Sequence, residues 1–251
     1  MQLHIIDINC DMGEGQSHHD CEQDALLMPY ISRCNIACGA HAGNDFTMRQ
    51  TLLNAQGYRL KCGAHPGYPD PDNFGRVSLK VTHQQIVDSV LLQVQKLVDI
   101  ATELGVALSH IKLHGALYND AEKSSDLADL LCQAVAVNYP KLSVLGLSGG
   151  AMQHAAKQYG LDFLREGFMD RAYLASGQLA PRTLPGSVYQ NPQQCINQVL
   201  TILRQTPLPT LDGNRIELAV DSLCLHGDSK IALDLATTLH SELSQAGYQI
   251  Q

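Results

Sequence analysis

The stretch NIACGAHAGND, residues 35–45, decides how the rest of the chain is read. A short apolar run ends in glycine and is followed at once by His41 and a polar turn. GAHPGYPD, residues 63–70, repeats the pattern with His65. Working outward, the same event recurs along the chain. Asp7, Asn9, Asp11 and Glu14 accompany the first run, in DINCDMGEG. Lys112 and His114 follow another, in HIKLHGALYN, as do Glu166 and Asp170 in EGFMD, and His226 and Asp228 in LCLHGDS. Parallel α/β folds place every strand-to-helix loop on one side, so polar groups at repeated strand ends predict one shared cleft.

The spacing predicts short buried strands at 5–9, 35–38, 61–64, 110–113, 143–147, 162–166 and 222–225. Helical stripes separate them. In residues 82–104, Ile86, Val90, Val94, Leu97, Val98 and Ala101 recur at intervals of three and four. Thr82 with Gln85 makes a capping box, and Gly105 supplies the stop. Further helices are expected at 126–137, 151–159, from Asn191-Pro192 onward, and at 229–246. Two connections look irregular, 171–187 and 206–215, and the first carries Arg171, Tyr173 and Arg182. The order is β-α about seven times, with no dividing linker. This predicts an α/β fold in one domain spanning 1–251: a distorted seven-stranded (β/α) barrel.

Composition narrows the class. The 251 residues are 45% apolar, ordinary for a globular chain. A net charge of −8 argues against nucleic acid or an anionic membrane as partner. The eight cysteines form no C-x-x-C pair, and several fall in predicted strands as small hydrophobes. With no signal peptide and no bilayer-spanning run, a cytoplasmic chain with reduced thiols is expected.

Asp7, Asn9 and Asp11 alternate, so on a strand they share one face. Three buried polar groups are costly unless they bind something or form a network, which points to acid–base or ligand-orienting work. His41, His65 and His114 supply proton shuttles or metal ligands. Asp11, His41 and His65 would be the core of a metal site, but no H-x-x-x-H or H-E-x-x-H pair is present, and no tightly bound metal is expected. Lys112, Arg76 and Arg182 suit an anionic substrate group or phosphate. SGGA, residues 148–151, opens a helix whose amides suit an anion. His18-His19-Asp20-Cys21 reads as solvated surface loop. Nucleotide-loop and serine-elbow fingerprints are absent.

The ordered motifs DINCDMGEG, NIACGAHAGND, GAHPGYPD with NFGR, HIKLHGALYN, EGFMDRAY, LAPR and LCLHGDS resemble the LamB/YcsF family over nearly the whole chain. Ala40, Gly67, Leu113 and Ser176 depart from its usual pattern. The resemblance implies a barrel related to the glycoside hydrolase/deacetylase superfamily. It also implies ATP-dependent opening of the 5-oxoproline (pyroglutamate) lactam to L-glutamate, with Mg²⁺ accompanying ATP and with partner subunits B and C. Under that reading Asp7, Asp11, His41, His65 and His114 carry acid–base and orienting work. Asn9, Glu14, Arg76, Lys112, Glu166, Asp170, Arg182, His226 and Asp228 hold substrate or phosphate. Two alternatives stay open: a metal-dependent carbohydrate N-deacetylase-like hydrolase, and a non-catalytic substrate-binding subunit. Oligomeric state, a homo-oligomer included, is not legible.

Overall fold

The alternation in the first motif belongs to a nine-residue strand, β1 (His4–Met12), whose inward side chains alternate along its length. The structure is a computed structural model that describes residues 4–227 and 231–251. After β1 come β2 (Arg33–Ala37), β3 (Lys61–His65), β4 (Leu108–Lys112), β5 (Ser143–Leu147) and β6 (Phe163–Phe168). A two-residue antiparallel pair follows, β7 (Leu208–Pro209) with β8 (Arg215–Ile216). The last strands are β9 (Ser222–Leu225) and β10 (Tyr248–Ile250).

Seven of these strands close a parallel barrel in the order β1-β2-β3-β4-β5-β6-β9, with β9 pairing back to β1. Closure requires stagger, and β1 shows it: Asp7–Cys10 pair with β9, Asn9–Met12 pair with β2, and His4–Ile6 extend beyond to pair with β10. Because every barrel strand runs the same way, all their C-terminal ends open on one mouth.

Among the described residues, eight α-helices lie outside: α1 (His18–Ala25), α2 (Asp45–Gly57), α3 (His83–Leu104), α4 (Gly115–Lys123), α5 (Ser125–Asn138), α6 (Ala151–Gln158), α7 (Pro192–Leu203) and α8 (Ala232–Gln245). In α3 the Thr82–Gln85 capping box forms, Gly105 takes the left-handed stop, and Ile86, Val87, Val90, Val94, Leu97, Ile100 and Ala101 face the core. Burying each larger member of such a stripe contributes ~1.5–3 kcal/mol. All eight cysteines are free and buried. Among the described residues no helix is long and apolar enough to cross a membrane.

Several expectations are corrected. Residues 18–21 are the start of α1, not a loop, although His18 and His19 are exposed and pair with Glu22 on the surface. α2, α4 and β10 were not foreseen, because their apolar residues are few or start directly at a strand end. The predicted start of the last helix at 229 lies outside the described residues. The 148–151 helix start is occupied by the chain itself: Glu122 accepts from Leu147 N at 2.8 Å and Met152 N at 3.2 Å.

The barrel interior is polar. Asn9, Asn35, His110 and Glu166 are wholly buried, and buried polar groups persist only when bonded. Asn35 donates to Asn9 Oδ1 (2.8 Å) and Asp11 Oδ1 (2.7 Å), and its own oxygen faces His110 Nε2 at 2.7 Å. The His110 ring fills the space where any side chain at Gly63 would stand. This network links the barrel floor to the mouth.

Candidate active site

β1 ends the interior column with Asp11, and β4 projects Lys112 beside it. The Lys112 ammonium, fully enclosed, donates to Asp11 Oδ1 (2.8 Å) and Asn9 Oδ1 (3.1 Å) and pairs with Glu166 Oε1 at 2.9 Å. Burial alone would lower its pKa, but Asp11, Cys224 and Glu166 hold it well above the ordinary lysine value. Burial alone would raise Asp11, but His65 and Lys112 hold its carboxyl well below the usual range. The two groups form one charged unit in which the lysine's protons are committed to the protein.

The ends of β2, β3 and β4 bring three histidines together. His65 Nδ1 lies 2.9 Å from the Lys112 carbonyl, and its Nε2 lies 3.0 Å from His114 Nδ1. His114 Nε2 meets the Phe74 carbonyl at 2.8 Å. His41, from the loop after β2, stacks on His114 with centroids 3.7 Å apart and planes 4° from parallel. Glu14 Oε1 lies 3.2 Å from His41 Nε2 and 3.3 Å from His114 Nδ1. Burial, then the neighbouring His65, pushes both His41 and His114 down to about 3, so both are neutral imidazoles at neutral pH.

The segment 73–76 clamps this stack. Phe74 has φ 53, a left-handed conformation that costs a residue with a side chain roughly 1–2 kcal/mol. In return its carbonyl fixes His114, while its ring meets His41 and His114 edge-on and carries the Arg76 guanidinium 4.8 Å above it. Gly75, at φ 61, passes so close that a Cβ would stand 2.8 Å from His41 and 3.0 Å from His114.

Across the mouth, Asp170 accepts from His226 Nδ1 at 2.8 Å, and Arg182 Nη2 lies 3.3 Å from His226 Nε2. Burial opposes ionisation of Asp170, yet His226 keeps its carboxyl below the ordinary value. Arg171 is buried; its Nη2 donates to the Ala180 carbonyl at 2.7 Å, and its Nε has no partner among the described residues. Burial and the nearby Arg182 pull its pKa down to about 10.

These groups line one cavity of about 340 Å³, among them Asp11, Glu14, His65, His114, Arg171, Arg182 and His226. Asp11 and His226 bring ligand atoms within 4.8 Å of each other. The volume is near the lower end for small-molecule sites, ~300–1,000 Å³. The cavity thus combines groups that can exchange protons with arginines.

Of the residues marked in the sequence, Asp11, Glu14, His41, His65, Arg76, Lys112, His114, Glu166, Asp170, Arg182 and His226 gather at this mouth. Asn9 lies one layer below, bonded to Asn35, Lys112 and Ser222. Asp7 does not join them. It sits four residues down β1, ~13 Å along the strand, held by Arg33 through two 3.1 Å contacts. Asp228 lies outside the described residues. Arg171, which the sequence marks only as a residue of an irregular connection, also lines the cavity. Tyr118 and Lys123 also line the cavity from α4, an element that the sequence pattern did not reveal.

Two groups have the composition to hold a metal: Glu14, His41, His65 and His114, and separately Asp11, Cys224 and His226. For ATP the fit is partial. The arginines of the cavity suit a phosphoryl group, but the helix start at 151 is filled by Glu122, and no nucleotide loop occurs in the sequence.

A parallel (β/α) barrel whose mouth gathers histidines, carboxylates and arginines around one cavity is a hydrolase-type architecture. The chain belongs to the LamB/YcsF family, whose profile matches residues 6–251. It is similar to the 5-oxoprolinase A subunit of Tolumonas auensis, 40% identical over 98% of each chain. The relation to the 5-oxoprolinase A subunit of Bordetella pertussis is 41% identity over 98% of each. Among solved structures it resembles the lactam utilization protein from Thermus thermophilus, with TM-score 0.89, 32% identity and 98% coverage of both chains.

Proposed function

We propose that this chain is the A subunit of a 5-oxoprolinase and opens the 5-oxoproline lactam to L-glutamate in an ATP-dependent reaction with partner subunits B and C. The observation that carries the reading is one cavity that gathers acid–base groups and arginines, together with relatives that bear this name over nearly their full length. 5-Oxoproline is a small anion with one poorly electrophilic amide. It needs a cation for its carboxylate and acid–base groups at its ring carbonyl.

In this account Arg171 and Arg182 hold the carboxylate, with Arg76 closing the cationic side. Lys112 is withdrawn from that role because Asp11, Asn9 and Glu166 already surround it; its work is to hold Asp11 ionised and in place. The ring carbonyl then faces Asp11, Glu14, His65 and His114, where the Asp11 carboxylate can take a proton from the attacking water. The Asp170–His226 pair, with Nε2 facing the cavity, moves a proton to the departing ring nitrogen. His41 and Phe74 orient these groups. ATP, with Mg²⁺, would supply activation of the amide when bound to the assembled enzyme. The setting is cytoplasmic, and the whole chain works as one domain. A carbohydrate N-deacetylase reading rests on barrel analogy and would need a metal of the kind that Glu14, His41, His65 and His114 could hold.

The test is glutamate release from 5-oxoproline by the purified chain, with and without subunits B and C and ATP. Release is expected only with all components. Equal release without this chain would overturn the assignment.

A further inference from the structure

The hydrogen bonds of the histidine wall fix where its protons are. The Lys112 and Phe74 carbonyls can only accept, so His65 Nδ1 and His114 Nε2 both carry hydrogen. The remaining ring nitrogens, His65 Nε2 and His114 Nδ1, face each other at 3.0 Å. Two carboxylate oxygens crowd the same place: Glu14 Oε1 is 3.3 Å from His114 Nδ1, and Asp11 Oδ2 is 3.4 Å from His65 Nε2. Glu14, His65 and His114 thus bring ligand atoms within 4.8 Å of one another.

We propose that this point is a divalent-metal site, with Glu14, His65 and His114 as its protein ligands and the remaining positions open to the cavity. With metal–nitrogen bonds of ~2.0–2.1 Å, neighbouring ligand atoms stand ~3.0 Å apart in octahedral and ~3.4 Å in tetrahedral geometry. The 3.0 Å and 3.3 Å separations here fall in that range. Both histidines donate their outer N–H to a backbone carbonyl, as metal-bound histidines do. His41 is not a ligand in this assignment. Its ring lies parallel to His114, so its in-plane lone pair does not converge on the same point. Instead its Nε2 donates to Glu14 and orients that carboxylate. Two imidazoles and one carboxylate suit Zn²⁺, Mn²⁺, Fe²⁺ or Co²⁺ better than Mg²⁺ or Ca²⁺. Sequence spacing alone pointed away from a metal, because the ligands come from three separate loops. The assignment rests on the convergence of these ligand atoms and on the backbone carbonyls that hold the outer ring nitrogens, and it is independent of the lactam reading.

The test uses metal alone, without lactam or nucleotide, so its failure leaves the lactam reading standing. The full-length chain is stripped with chelator, dialysed, and titrated with Zn²⁺ by calorimetry and Co²⁺ by visible absorption. One equivalent should bind, with a cobalt d–d band and a raised unfolding midpoint. Glu14→Gln and His114→Ala should lose the band, whereas His41→Ala should keep it with roughly 10–100-fold weaker binding, the size of an outer-shell effect. His226→Ala should bind as the parent does. No stoichiometric binding by the parent chain, or an unchanged band in folded Glu14→Gln, overturns the proposal. So does an imidazole ¹⁵N spectrum that shows a proton shared by His65 and His114 and does not change when metal is added.

Discussion

Lys112 Nζ and Glu166 Oε1 meet 2.9 Å apart inside the barrel mouth, and Asp11 takes the other side of the same ammonium at 2.8 Å. Removing one partner of such a buried set leaves uncompensated charge and costs about 3–5 kcal/mol. Lys112→Met is therefore expected to lower unfolding free energy by about that much, read from urea midpoints. Lys112→Met combined with Glu166→Gln should recover part of the loss. If Lys112 served mainly as a substrate cation, stability would barely move and only KM would rise.

Gly75 passes between the backbone of α4 and the stacked His41 and His114 rings at a positive φ. Gly75→Ala adds a methyl where no room exists and strains the turn. A loss of about 1–3 kcal/mol is expected from overpacking, with turnover falling further because the stack is displaced. Gly57→Ala, where a Cβ meets none of the described residues within 4 Å, is the control that should leave turnover unchanged.

The cavity arginines set substrate binding. Arg182→Ala and Arg171→Ala should each remove a charged hydrogen bond worth about 1.5–3 kcal/mol, a tenfold to hundredfold rise in KM for an anionic lactam. A neutral lactam lacking the carboxylate should show little further loss in these variants. Equal losses on both substrates would assign the arginines to structure instead.

Glu122 gives a pH signature away from the site. Burial pushes its carboxyl from 4.5 up to about 8, despite two backbone donors. The folded chain thus keeps a proton that the unfolded chain releases. Its contribution to stability is full below about 4.5 and is lost as pH rises to about 8. Urea midpoints should fall across that window, and Glu122→Gln should flatten the fall.

The barrel was legible because its strands are short, apolar and punctuated by glycine, and because α3 carries complete start and stop signals. His41, His65 and His114 were legible because each follows its strand within a few residues. Glu122 and His110 were not: both sit inside regular elements, and only the tertiary packing puts Gly146, Gly150 and Gly63 against them. Asp7 illustrates the opposite error. Alternation placed it on the same face as Asp11, and that is correct, but a face says nothing of depth, and Arg33 holds it near the floor. The facing ring nitrogens of His65 and His114 were beyond any sequence pattern, because backbone carbonyls at 74 and 112 hold the two rings in place.

Glutamate release from 5-oxoproline by the enzyme assembled with Asp11→Asn in this chain is the most direct measurement. Asp11 touches Lys112, His65 and Asn35 and lines the cavity. A loss of at least a hundredfold in kcat is expected, with the far-ultraviolet circular dichroism spectrum retained. Parental turnover in that variant would show that lactam opening takes place somewhere other than this barrel mouth.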